Sequence, residues 1–178
     1  MEHIKPENVQ KIIDVLNTAR AMELQAISQY MNQHYSTDAQ DYGEFARNLK
    51  LIAIDEMRHA ESFAERIKEI GGEPTADPFS RIEKGQRIED IFGFDARLES
   101  ETIAKYAEFQ RACMENGDPV SAALFEKIMT EENLHLNYFE NVERHIKELG
   151  TYYLARIAGT DSKVGPVNPG FVGRKKEE

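Results

Sequence analysis

The sequence predicts an all-α fold: a four-helix bundle with a long crossover between the second and third helices and a short fifth helix after the fourth. Three observations carry that expectation. Four long segments repeat apolar residues at helical spacing. The six prolines and eleven glycines among the 178 residues fall mainly between those segments. The outer two breaks are short and the middle one is long.

The first helix is expected from about Pro6, a good first-turn residue, to about Tyr35, with the stripe Val9, Ile13, Leu16, Arg20, Glu23, Ile27, Tyr30 and His34. A break is expected at 36–38. The second helix runs from about Asp38 to Ile70, with the stripe Leu49, Ile52, Glu56, His59, Phe63, Ile67 and Ile70, and Gly71-Gly72 ends it. Residues 72–87 hold Pro74, Pro78 and Gly85 and read as loop. The third helix runs from about Ile88 to Asn116, with the stripe Phe92, Asp95, Glu99, Thr102, Tyr106, Phe109 and Cys113. Gly117-Asp118-Pro119 makes a turn. The fourth reaches about Leu149 through Phe125, Ile128, Glu132, His135, Phe139, Val142 and Ile146, and Gly150 ends it. A short helix follows at about 151–158. Residues 1–158 thus read as one domain, and 159–178 as a mostly irregular tail.

Loop lengths set the topology. Short breaks pair helices one and two antiparallel, and likewise three and four. A 30-residue helix is ~45 Å long at ~1.5 Å per residue. Sixteen extended residues reach at most ~55 Å, so the middle loop can span the bundle and leave helices two and three parallel.

The totals bound the function class. The net charge of -10 argues against nucleic acid, which needs a basic surface, and favours cations. The single cysteine, Cys113, excludes an intrachain disulfide or a four-cysteine metal site. No apolar run approaches the ~20 residues that cross a bilayer. The N-terminus has no apolar signal-peptide core. A cytoplasmic protein with no membrane partner is the expectation.

Each apolar stripe is interrupted at one level by acid or imidazole. Helix two carries Glu56-Met57-Arg58-His59 and helix four Glu132-Asn133-Leu134-His135. An E-x-x-H pair sets both side chains on one helix face, one turn apart. Helices one and three supply Glu23 and Glu99. Glu23 to Glu56 is 33 positions, and so is Glu99 to Glu132. The midpoints fall near 39–40 and 115–116, close to the expected turns, so each pair meets across its own hairpin. A tyrosine lies seven residues after each lone glutamate, Tyr30 and Tyr106. The chain reads as two related halves that build one site.

Buried carboxylates are costly unless paired or metal-bound. Two divalent cations balance four carboxylates, and oxygen-rich ligation with one imidazole per metal suits iron or manganese. A lone E-x-x-H on a charged helix is a weak signal and usually surface decoration. Two in core register, each with a partner glutamate at the same separation, point to a two-metal centre. Tyr30 and Tyr106 read either as core aromatics or as neighbours of that centre. Cys113 reads as a small buried residue, and His3, His34 and His145 as surface or helix-end histidines.

Glu23, Glu56-x-x-His59, Glu99 and Glu132-x-x-His135 resemble the ferroxidase centre of bacterioferritins, which have a ferritin-like bundle. The resemblance covers about Lys11 to Ala158. The segments AMELQAISQYMNQHY and LIAIDEMRHAESFAERIKE are similar to bacterioferritins of sulfate-reducing bacteria in particular. The resemblance implies iron storage and detoxification, with iron(II) oxidised by dioxygen or hydrogen peroxide at a centre of two iron ions per subunit. Glu56 and Glu132 would bridge the irons, Glu23 and Glu99 would be terminal ligands, His59 and His135 would bind one iron each, and Tyr30 would lie beside them. It also implies a homo-oligomer of twenty-four subunits around an iron(III) mineral, a separate electron donor for iron release, and a haem or related porphyrin between two subunits with Met57 of each as axial ligand. On the residues alone, Met57 is first an apolar contact at a subunit interface. Leu51 stands where some members carry a cavity-facing histidine, which leaves Asp55 unsupported as an inner ligand.

Three rival readings remain. A rubrerythrin-like di-iron peroxidase wants an iron–sulfur donor that one cysteine cannot supply. A di-iron oxygenase normally has a longer chain. A haem-carrying structural bundle would hold a vestigial metal site. A mini-ferritin would divide its ligands between subunits, whereas the full set lies in this chain. Finally, Leu51, Ile54 and Met57 form a second apolar strip on helix two, expected to be exposed on an isolated bundle and covered by a neighbouring subunit.

Overall fold

Four long helices account for most of the chain because its apolar residues recur at helical spacing and its breakers, Gly93 of the third helix apart, fall at or beyond the ends of those helices. The computed structural model describes residue 4, residues 6–165 and residues 170–175. The helices are α1 (Pro6–Ala39), α2 (Gly43–Glu69), α3 (Ile88–Glu115), α4 (Pro119–Leu149), α5 (Thr151–Ile157) and α6 (Gly170–Lys175). No strand occurs among the described residues. His3 lies outside them.

The first turn comes later than expected, at Gln40-Asp41-Tyr42 rather than at 36–38. Ser36, Thr37 and Asp38 look like turn formers. Thr37 is buried, however, and its Oγ1 donates back to the Gln33 and His34 carbonyls at 2.9 and 3.1 Å, which keeps it inside α1. The chain reverses instead at Asp41, in the left-handed region with φ 64°. At Gly43, which opens α2, a β-carbon would lie 1.8 Å from the Thr160 carbonyl oxygen. That close approach lets the segment after α5 bridge to Tyr42.

The crossover is pinned along α1. Asn17 Nδ2 donates to the Glu73 carbonyl and Asn17 Oδ1 accepts from Thr75 N–H. Arg20 Nε donates to the Thr75 carbonyl, Phe79 N–H to the Ala21 carbonyl, and Gln29 holds Glu83 from both sides. The loop therefore climbs α1 from Asn17 to Gln29 and delivers α3 beside Gln33, so that α2 and α3 run parallel.

The core falls into two apolar clusters. One gathers Phe45, Leu49, Ile52, Phe92, Phe139 and Val142. The other gathers Ile12, Leu16, Phe63, Ile67, Phe125 and Ile128. Glu23, Glu56, Glu99 and Glu132 sit between them along every helix. Cys113 is buried in the second cluster, and burial pushes its thiol up to about 12. His34 is buried, with Nδ1 2.8 Å from the Ala46 carbonyl, and His145 packs against Tyr153.

The tail, expected to be mostly irregular, also carries one short helix that the sequence did not predict, α6, whose Phe171 and Val172 are buried against the bundle. This apolar pair is too short to show a periodicity. Leu51 is 1% exposed and belongs to the same cluster as Phe171, so the chain covers that end of the Leu51–Ile54–Met57 strip itself. Met57, at 55% exposed, is its uncovered end.

The second hairpin is fastened at its turn. Asp118 caps α4 by accepting from Ser121 N–H at 3.1 Å, and takes Arg66 Nη2 of α2 on both oxygens at 2.9 and 3.0 Å. Asp118→Ala removes the cap and takes from the half-buried Arg66 guanidinium the two-oxygen partner of Nη2, leaving Glu69 at Nη1 as its only carboxylate. A loss of about 2–3 kcal/mol is expected, measured by denaturant unfolding of the metal-free protein. A change below about 0.5 kcal/mol would contradict this role.

Candidate metal centre

The six residues singled out by spacing converge in the layer between the two apolar clusters. Glu23 comes from α1, Glu56 and His59 from α2, Glu99 from α3, and Glu132 and His135 from α4. All six are buried. Their i,i+3 spacing on α2 and α4 turns each glutamate and histidine to the same side.

The geometry has a near-twofold pattern. His59 Nδ1 lies 3.0 Å from Glu56 Oε2, 3.1 Å from Glu132 Oε1 and 3.8 Å from Glu23 Oε1. His135 Nδ1 lies 3.0 Å from Glu132 Oε2, 3.1 Å from Glu56 Oε1 and 3.9 Å from Glu99 Oε1. Glu56 and Glu132 thus each turn one oxygen to each imidazole, while Glu23 and Glu99 belong to one side only. Two overlapping ligand groups result: Glu23, Glu56, His59 and Glu132, and Glu56, Glu99, Glu132 and His135.

Hydrogen bonding alone does not satisfy this cluster. Each Nδ1 faces three carboxylate oxygens and can carry one proton. Glu56 Oε1 and Glu132 Oε1 are buried without a hydrogen bond. A cation seated among the oxygens could serve all of them at once, and the all-oxygen-and-imidazole donor set suits a first-row divalent metal.

Each terminal glutamate has a tyrosine from the other half. Tyr30 Oη of α1 donates to Glu99 Oε1 at 2.5 Å, and Tyr106 Oη of α3 donates to Glu23 Oε1 at 2.5 Å. Burial, reinforced by the facing carboxylates, pushes both phenols well above their usual range. Both therefore remain donors.

The outer imidazole nitrogens meet two acids that the spacing did not single out as partners. His59 Nε2 lies 3.0 Å from Glu131 Oε2, and His135 Nε2 lies 3.6 Å from Asp55 Oδ2. Each acid directly precedes the shared glutamate of its own helix and serves the histidine of the other. An acid before each E-x-x-H was the available signal. From the sequence, Asp55 reads only as an inner ligand. Met57 points away from the centre and is half exposed, as expected for the residue beside Glu56.

A cavity of about 190 Å³ reaches the four glutamates from the α1–α3 side, with Met22, Ala26, Leu98, Phe79 and Ser80 among its lining. The two crossover residues were not expected here. A loop climbing α1 necessarily passes this opening.

Burial, then the charges of Glu132 and Glu56, raise the carboxyls of Glu23 and Glu99 well above the usual range. Burial opposes the charged form of His59 and His135, but Glu132 beside the first and Glu56 beside the second outweigh it and raise both imidazoles. Burial also opposes ionisation of Glu132, yet His59 and His135 outweigh it and hold its carboxyl low.

The raised groups favour the folded state below their unfolded values, about 4.5 for Glu23 and Glu99 and about 6.5 for the histidines. That stability is lost as pH rises through their folded values. The depressed Glu132 acts only on the acid side, below about 4.5. The Tm of metal-free protein should therefore fall as pH rises past about 6.5, through the raised values of the imidazoles. Saturating cobalt(II), which replaces the protons, should abolish that fall. Calorimetry with chelator and with cobalt(II) checks this, and parallel pH curves would refute it.

Residues 13–149 match the family described as the ferritin-like domain. A bacterioferritin of Desulfovibrio desulfuricans is 59% identical over 91% of this chain and 90% of its own. One from Mycobacterium leprae is 30% identical over 78% and 87%. The X-ray structure of the D. desulfuricans bacterioferritin, described as showing the diiron site in different catalytic states, superposes with a TM-score of 0.89 at 57% identity and covers 93% of this chain and 96% of that one. Mycobacterium tuberculosis bacterioferritin BfrA gives 0.79 at 29% identity, over 86% and 95%. With its ligand groups inside a matching bundle, the chain belongs to the bacterioferritins of the ferritin-like family.

Proposed function

We propose that this chain oxidises iron(II) at its paired ligand groups and stores the product. The observation that carries the proposal is the sharing of Glu56 and Glu132 between the two groups. Two separate sites would not need it, whereas two metals held close together do.

Iron(II) is the substrate. Each iron gives one electron, so a pair supplies the two electrons that reduce dioxygen to hydrogen peroxide or peroxide to water. Glu56 and Glu132 bridge, Glu23 with His59 completes one position, and Glu99 with His135 completes the other. Tyr30 and Tyr106 orient the terminal carboxylates through their hydroxyls. Protons held by Glu23, Glu99 and the imidazoles in the metal-free state leave as iron enters. The cavity beside Phe79 and Ser80 is the route in from the α1–α3 side.

Storage completes the reading. Twenty-four copies enclose an iron(III) mineral, and a separate electron donor serves its release. Two Met57 side chains from adjacent copies hold a haem or related porphyrin. The exposed thioether fits that part, being soft, uncovered and clear of the oxygen-rich centre. Two thioether ligands would favour the reduced porphyrin iron.

Stopped-flow addition of iron(II) to metal-free protein should show a fast phase ending at two irons per chain. Glu56→Ala and Glu132→Ala should slow it more than about 100-fold, because partners one step removed from a ligand already matter about 10–100-fold. Wild-type kinetics in both variants would overturn the assignment. Met57→Leu should lose the low-spin porphyrin spectrum, keep a shell near half a megadalton in sedimentation, and keep the fast phase. An unchanged porphyrin spectrum would remove Met57 from the proposal.

A further inference from the structure

The two ligand groups match in their inner shells and differ in what holds their imidazoles. His59 Nε2 is 3.0 Å from Glu131 Oε2. His135 Nε2 is 3.6 Å from Asp55 Oδ2 and makes no hydrogen bond. The same Asp55 oxygen instead accepts from the Val172 N–H of α6 at 2.8 Å, and Arg58 holds its other oxygen at 3.1 Å. Phe171, one residue earlier, sets its ring edge-on to the His135 ring, with centroids 5.8 Å apart, and packs against Tyr138. Phe171 and Val172 are both buried. Among the described residues of the tail, none does the same for His59.

We propose that α6 is a positioning element for the His135 metal position alone, closing the α2–α4 face behind it and holding Asp55 and the imidazole in place. This rests on the two-metal reading above. It follows from two contacts with different physical content. The Val172 N–H directs a charge-assisted hydrogen bond at the one acid facing His135 Nε2. The Phe171 ring fills the space beside the imidazole, so that ring cannot swing away from the metal without displacing a packed aromatic. A ligand whose outer partner and packing are fixed releases its metal more slowly than one without them. The entry cavity lies on the opposite, α1–α3 face, so α6 leaves entry open while closing the other side. The chain thereby makes two similar metal positions unequal: one backed by a side-chain carboxylate of α4, the other by the chain's own C-terminal segment.

The test is release of cobalt(II) from the fully assembled, anaerobic protein. Cobalt(II) is loaded to saturation, excess chelator is added, and loss of the visible bands is followed. Wild type should bind two cobalt(II) per chain and release them in two phases, one from each position. Val172→Pro deletes the N–H while proline is tolerated in a first helical turn. It should speed one phase only, that of the His135 position, about tenfold or more, and Val172→Ala, which keeps the N–H, should not. Phe171→Ala should speed the same phase, and Phe171→Leu should restore much of the wild-type rate. A chain ending before Gly170 should behave as Val172→Pro and Phe171→Ala combined. Glu131→Gln should speed the other phase, which assigns the two. Equal acceleration of both phases in Val172→Pro, or unchanged release from the shortened chain with two cobalt(II) still bound, overturns the role of α6. Fewer than two cobalt(II) per wild-type chain overturns the two-metal reading itself, and the inference with it.

Discussion

Everything in this structure answers to the burial of four carboxylates in the middle of an apolar bundle. A buried carboxylate without partners costs several kcal/mol, and here four share one small layer with only two imidazoles. The bundle tolerates them by placing its hydrophobic packing elsewhere. One cluster built around Phe45, Phe92 and Phe139 lies toward the start of α2, and another around Leu16, Phe63 and Phe125 toward its end. The layer between them is left for charge. Tyrosine hydroxyls, imidazoles and outer acids then supply partial compensation. Glu56 and Glu132 still keep one buried oxygen each without a hydrogen bond. That remainder of unmet bonding is what a pair of cations would complete.

The layer is symmetric where the metals would sit and asymmetric one step out. Tyr30 with Glu99 mirrors Tyr106 with Glu23 almost atom for atom. Glu131 and Asp55 occupy corresponding positions, yet a glutamate reaches His59 at hydrogen-bond distance and the shorter aspartate does not reach His135. The missing methylene is matched by α6, which occupies that side instead. The first property follows from the matched spacing of the two halves, and the second from the residues in which they differ.

Much of this was legible in the chain itself. Glu23, Glu56, His59, Glu99, Glu132 and His135 interrupt periodic apolar stripes at one height, and a spacing of 33 in each hairpin can be read without coordinates. The crossover followed from its length. Three features were hidden for physical reasons. Thr37 looks like a turn residue until its hydroxyl is seen bonded back into α1. Glu131 is one more acid on a charged helix with solvated neighbours such as Glu126 and Glu140, and only its place directly before an E-x-x-H, shared with Asp55, sets it apart. Phe171 and Val172 are two apolar residues in a polar tail, and no period exists in two residues. For Glu131 and for Phe171 with Val172, what hides the feature is that the partner is distant in sequence.

The account rests on two metals sharing Glu56 and Glu132, and direct location of the metals tests that most closely. Crystals loaded with cobalt(II) and measured at its absorption edge should give two anomalous peaks per chain in this layer. They should lie about 3.5–4 Å apart, one beside His59 Nδ1 and one beside His135 Nδ1, with the oxygens of Glu56 and Glu132 between them. A single peak, or two peaks with neither glutamate reaching both, would contradict the account.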